Sequence, residues 1–140
     1  MRVLGLDVGD RTVGVAASDA LGWTAQGVEI IRRKEADDLS ATIGRLRELM
    51  AEYDTQKLIV GYPKNMDGTE GERCKIVKAF AGEVQKAIPG TEVVFQDERL
   101  STVAAEKSLI AADVSRKKRR KVIDKMAAVF ILQGWLDSKG

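Results

Sequence analysis

Three short apolar runs open the chain. Positions 2–8 and 12–18 are rich in Val, Leu and Ala, and Gly9-Asp10-Arg11 separates them, which predicts two strands joined by a tight turn. Positions 24–31 read as a third strand, reached through a turn at Gly22. Successive strands with tight links predict an antiparallel meander. The period then changes. Leu39, Ile43, Leu46, Met50 and Tyr53 recur at spacings of four, three, four and three, which is one face of a helix. Positions 57–62 form a short apolar strand, and positions 63–71 (PKNMDGTEG) form a turn-rich loop. A second helix carries Val77, Phe80, Val84 and Ile88 on one face and stops at Pro89-Gly90. Positions 91–96 predict a fifth strand. A shorter helical pattern runs from Ser101, a candidate N-cap, to about position 112. After a run of cations, positions 123–136 predict a final helix, apolar over much of its surface and therefore buried.

The predicted order is βββ-α-β-α-β-α with a small extra helix before the last. Hairpin-linked strands followed by strand-helix alternation predict an α/β fold. Its five-stranded mixed sheet has antiparallel first strands and is flanked by helices. The 140 residues suit a single domain, 1–140, with no repeat and no linker. No apolar run approaches the length of a membrane span, and the start of the chain lacks the features of a signal peptide. A cytoplasmic protein with no membrane partner is expected.

Composition narrows the chemistry. The chain has no histidine and one cysteine, Cys74. That excludes Ser-His-Asp and Cys-His relays, a His-ligated zinc pair and a four-thiolate metal site. A metal site must be built mainly from oxygen ligands, which favours Mg²⁺ or Mn²⁺ over zinc or copper. The net charge of +2 conceals a separation. Arg116, Lys117, Lys118, Arg119, Arg120 and Lys121 are consecutive cations, and without these six the remainder carries −4. Such a block reads as a solvated loop, or as one that meets nucleic acid or another polyanion.

Four segments carry candidate chemistry. Asp7 interrupts the apolar first strand between Gly5 and Gly9, where an unpaired buried carboxylate would cost several kcal/mol. It either caps the turn or serves a function, and its mid-strand place favours function. Asp97-Glu98-Arg99-Leu100-Ser101-Thr102 closes the fifth strand, and strand ends in α/β sheets collect ligand-binding groups. Alternation puts Asp97 and Glu98 on opposite faces, so at most one of them joins Asp7. Asp124, at the opening of the predicted last helix, is on its own explained by ordinary complementation of the helix dipole. The loop from Gly61 to Arg73 offers cations and glycines near the fourth strand. Trp23 is the one aromatic placed to stack on a base, although Trp23 and Trp135 are expected to be core or interface residues. Cys74 is incidental.

Taken together, these segments resemble the YqgF/RuvX family. Its members are described as Holliday-junction-resolvase-like proteins and as nucleases maturing the precursor of 16S ribosomal RNA. The family's GxDxG first strand running into GVAxSD is matched at positions 5–19 and its VGxPxxxDGxxGxR loop at positions 60–73. DERLST stands at positions 97–102, and the DxxAAxxILQxxL helix at positions 124–136. Four ordered motifs cover essentially the whole chain. The resemblance implies an RNase H-like fold and an acidic triad of Asp7, Glu98 and Asp124 holding Mg²⁺ or Mn²⁺. In a two-metal site the ions sit roughly 3.5–4 Å apart. It also implies an endonuclease of structured nucleic acid, most readily one processing the 5′ end of pre-16S rRNA within ribosomal precursor particles.

Arg11, Lys64, Arg73, Arg99 and the block Arg116, Lys117, Lys118, Arg119, Arg120, Lys121 then become phosphate-positioning candidates. Two alternatives remain open: a resolvase of branched DNA in recombination and repair, and a non-catalytic RNA-binding factor of ribosome assembly. An Asp-x-Gly first strand also opens the phosphate hairpin of the actin/hexokinase ATPases. Those need two lobes, and 140 residues supply one. No dimer stripe is visible, so a monomer or weak homodimer is expected.

Overall fold

The apolar runs at the start of the chain form β1 (Leu4–Val8), β2 (Thr12–Ser18) and β3 (Ala25–Arg32). The computed structural model describes residues 2–33, 39–65, 67–97 and 115–139. Then follow α1 (Ser40–Glu52), β4 (Lys57–Tyr62), α2 (Glu72–Ala87), β5 (Glu92–Asp97) and α3 (Arg116–Lys139). The expected helix at positions 101–112 lies outside the described residues.

The strands form one five-stranded sheet in the order β3-β2-β1-β4-β5. β1–β2 and β2–β3 are antiparallel, while β1–β4 and β4–β5 are parallel. The meander is therefore correct, and the mixed sheet follows from the helical crossovers that return β4 alongside β1 and β5 alongside β4. The strand edges differ from the sequence reading by no more than two residues.

Strand alternation sends side chains to two separate cores. On one face Leu4, Leu6 and Val8 of β1, Val13 and Val15 of β2, and Leu58, Val60 and Tyr62 of β4 pack on the predicted stripes of α1 and α2. On the other face Val3, Ala16 and Ile59 meet α3, through Ala128, Ile131, Leu132 and Leu136. Cys74 is a core residue of the first face.

One expectation is corrected and another narrowed. The cationic run is not a loop ahead of the last helix; α3 begins at Arg116 and takes the run into its first turns. Lys and Arg are strong helix formers. Ser115 caps the start, its Oγ accepting the Lys118 N–H at 3.3 Å. Of the two places expected for Trp23, core or interface, the core is excluded, since it is 73% exposed at the tip of the β2–β3 hairpin. Asp19 holds that tip: its carboxylate accepts from the Trp23 N–H at 2.7 Å and the Thr24 hydroxyl at 3.2 Å. No helix among the described residues is long and apolar enough to cross a membrane.

Candidate active site

Because β1, β4 and β5 run parallel, their C-terminal ends lie at one end of the sheet, together with the β1–β2 turn and the start of α2. Asp7, Arg11, Lys64 and Arg73 all belong to this end.

Asp7 is half-buried. It shares with Gly5 the face of β1 that looks toward α3, since Leu4, Leu6 and Val8 occupy the other. Its antiparallel partner is Gly14. A Cβ added at Gly14 would stand 3.6 Å from the Asp7 Cβ and 3.7 Å from the Ala128 Cβ, so Asp7 and Ala128 face one another across this glycine. Gly5 explains how the helix comes so near. A methyl group there would lie 2.6 Å from the Leu132 Cβ and 3.1 Å from the Ala128 carbonyl. A bare glycine on β1 lets α3 rest directly on the strand backbone.

The helix direction follows from these contacts. Leu132 meets Gly5, and Ala128 meets Gly5 and Gly14, so α3 runs against β1 and its N-terminal half extends past Asp7. Position 124 is one turn before Ala128, on the same line along the helix. It is the ninth residue of α3, so the first-turn dipole explanation for this acid no longer applies. Arg116 lies about 18 Å before Ala128 at 1.5 Å per residue, which carries the cationic block beyond the end of the sheet. Its Lys117 and Lys118 are exposed.

Asp97 belongs to the opposite face. It pairs with Tyr62, a core residue of the α1/α2 side. Gln96 pairs with Gly61 and looks toward α3. Glu98 and Arg99 lie outside the described residues.

The cation candidates differ in their surroundings. Arg11 is exposed on the β1–β2 turn, and Lys64 is half-buried two residues past β4. Arg73, in the first turn of α2, is already engaged. Its Nη1 meets Asp10 Oδ1 at 2.7 Å and its Nη2 donates to the Val8 carbonyl at 3.0 Å. The loop before it is ordered by its own polar groups. Asp67 accepts from the Thr69 N–H and hydroxyl, Tyr62 donates its hydroxyl to Glu70, and Lys78 pairs with Glu70 at 3.1 Å. Gly14, Asp10 and Arg33 were not among the sequence candidates. Gly14 sits within the GVAxSD motif, but nothing local marks it as the neighbour of Asp7.

Residues 1–138 match the family described as RuvX, Holliday junction resolvase. A Desulforamulus reducens chain provisionally named pre-16S rRNA nuclease is 57% identical over 138 residues, covering 99% of this chain and 98% of its own. A Bacillus subtilis chain of the same name is 56% identical over 138 residues, with 99% of each covered. T. thermophilus RuvC, solved in complex with Holliday junction substrate, aligns with a TM-score of 0.61 at 15% identity, over 99% of this chain and 95% of its own. The fowlpox virus Holliday junction resolvase aligns over the full length of both chains with a TM-score of 0.52 at 13% identity. RuvC-like resolvases have an RNase H-like fold, and the sheet order and helix placement described above are that fold. With its match running from residue 1 to residue 138, the chain belongs to the RuvX family.

Proposed function

We propose that this protein is a metal-dependent endonuclease of structured nucleic acid that processes the 5′ end of pre-16S rRNA in the cytoplasm. The observation that carries this reading is the meeting of Asp7 with α3 at Ala128, one turn from position 124. It supports an acidic centre built from Asp7, Asp124 and Glu98. Asp97 occupies the α1/α2 face, so the acid this reading assigns from the DERLST motif is Glu98. The relatives' names and the family description supply the substrate class.

A hard divalent cation fits the residues present. Asp7 offers oxygen, the chain has no imidazole, and the only thiol is 1% exposed in the opposite core. Gly14 leaves open beside Asp7 the volume that a side chain would fill. Asp7, Glu98 and Asp124 would hold Mg²⁺ or Mn²⁺, which when bound supplies Lewis-acid activation of water and stabilisation of the leaving oxygen. The chain's own contribution is positional. β1, which carries Asp7, and α3, which carries position 124, meet across a glycine contact. Arg11, Lys64, Arg99 and the Arg116–Lys121 block are the candidates for holding phosphates without reading bases.

The test is cleavage of pre-16S RNA and of a four-way DNA junction, with Mg²⁺, with Mn²⁺ and with EDTA. Site-specific RNA cleavage abolished by EDTA is expected. Preferential junction cleavage would make the protein a resolvase. Binding of either substrate without cleavage would make it an assembly factor.

A further inference from the structure

The β1–β2 turn is held from both flanks by arginines remote in sequence. From the α2 side, Arg73 spans Asp10 Oδ1 at 2.7 Å and the Val8 carbonyl at 3.0 Å. From the β3 side, Arg33 Nη2 donates to the Asp10 carbonyl at 2.6 Å, and the Arg33 N–H donates to the Arg11 carbonyl at 2.8 Å. Val8 directly follows Asp7. The β1–β4 ladder ends at Leu6↔Val60, so the Val8 carbonyl lies past the last strand pair and takes its hydrogen bond from Arg73. Both contacts use separate nitrogens of one planar guanidinium, a geometry that an ammonium group cannot reproduce.

We propose that Arg73 is a positioning residue. It clips the end of β1 to the start of α2 and so fixes Asp7 at the metal-holding end of the sheet, with Asp10 as its anchor, and it does not bind phosphate. The proposal deepens the nuclease reading and rests on it. Fixing the strand that carries a ligand is the role of outer-shell partners, whose loss typically lowers metal affinity or activity about 10–100-fold.

The experiment compares Arg73→Lys, Arg73→Met and Asp10→Asn with the parent protein. It measures Mn²⁺ affinity without nucleic acid, kcat and KM for RNA cleavage, and RNA affinity against salt in Ca²⁺. Amide exchange at Gly9, whose N–H donates to the Thr12 carbonyl at 2.7 Å, reports the turn itself. The expected result is a 10–100-fold fall in Mn²⁺ affinity and kcat. KM and the salt slope should stay unchanged, Gly9 should exchange faster, and lysine should give no rescue. Combining Arg73→Met with Asp10→Asn should cost little more than Arg73→Met alone. The proposal is overturned if lysine restores kcat, or if the salt slope falls by about 1 with kcat intact, the mark of a cation that had been neutralising a phosphate. It is equally overturned if Gly9 exchange is unmoved in Arg73→Lys. A parent that neither cleaves nor binds Mn²⁺ would defeat the nuclease reading, and with it the proposal. A parent that binds Mn²⁺ but does not cleave would defeat the nuclease reading alone and leave the clip decided by affinity and exchange.

Discussion

At position 5 a single methyl group separates two outcomes. In a Gly5→Ala variant the new Cβ must move Leu132 and the Ala128 carbonyl, since it would stand 2.6 Å and 3.1 Å from them. Overpacking of this kind costs about 1–3 kcal/mol. Urea denaturation of Gly5→Ala should show that loss, and cleavage should fall with it because α3 is pushed off β1. Gly14→Ala is the informative contrast. Its Cβ makes ordinary contacts, 3.6 Å to Asp7 and 3.7 Å to Ala128, so stability should stay close to that of the parent while Mn²⁺ binding beside Asp7 weakens. A stable Gly5→Ala variant, or unchanged Mn²⁺ affinity in Gly14→Ala, would contradict this picture of the recess. Asp7 and Gly5 could be read from the sequence because an acid and a glycine interrupt an apolar strand. The Arg73–Asp10 ion pair could not. It joins residues 63 positions apart, and no periodicity records such a contact.

Among the elements, α3 departs furthest from its sequence pattern. Its apolar half, through Ala128, Ile131, Leu132 and Leu136, packs on the sheet and was legible from periodicity. Its cationic half was not legible, because a run of like charge reads as a loop although Lys and Arg are good helix formers. Cations in a first turn oppose the helix dipole by about 0.3–1 kcal/mol each, so this end relies on the Ser115 cap and on continuity with the packed half. Six successive positions at about 100° apart surround the axis. The six positions therefore form a collar around the axis and not a stripe. Replacing all six by Gln should preserve helicity by circular dichroism, weaken RNA binding and flatten its salt dependence. For a duplex, every phosphate that is no longer neutralised lowers the slope of log K against log salt by about 0.9. An unchanged slope would show that the collar is merely solvated.

For the whole molecule, the separation of charge matters more than its sum. The six cations extend beyond the sheet at the end that carries Asp7, while the remainder of the chain bears −4. Away from that end, acids stabilise the scaffold. Asp19 is held below the usual carboxylate range by the Trp23 N–H and then by Thr24, and Glu29 is held low by the bidentate Arg45 guanidinium. A carboxylate whose folded pKa is lowered stabilises above its unfolded pKa, and that contribution is lost as pH falls through the folded value. The melting temperature should therefore be flat from neutral pH down to about 5 and fall below about pH 4, less steeply in Glu29→Gln. An equally steep fall in that variant would show that Glu29 contributes nothing to the acid limb.

The fold was legible in the sequence because two-residue and 3.6-residue periods mark which faces are buried, while the face that Asp97 takes needed the sheet register. Asp97 lies on the α1/α2 face and Asp7 on the α3 face. The sharpest test of an acidic centre on the α3 face is thus EDTA-sensitive cleavage of pre-16S RNA by Asp7→Asn and Asp97→Asn, measured side by side with the parent. Asp7→Asn should lose more than the roughly 100-fold expected for an outer-shell partner, while Asp97→Asn stays within about 10-fold of the parent. Cleavage that survives Asp7→Asn, or that is lost equally in both variants, would contradict that assignment.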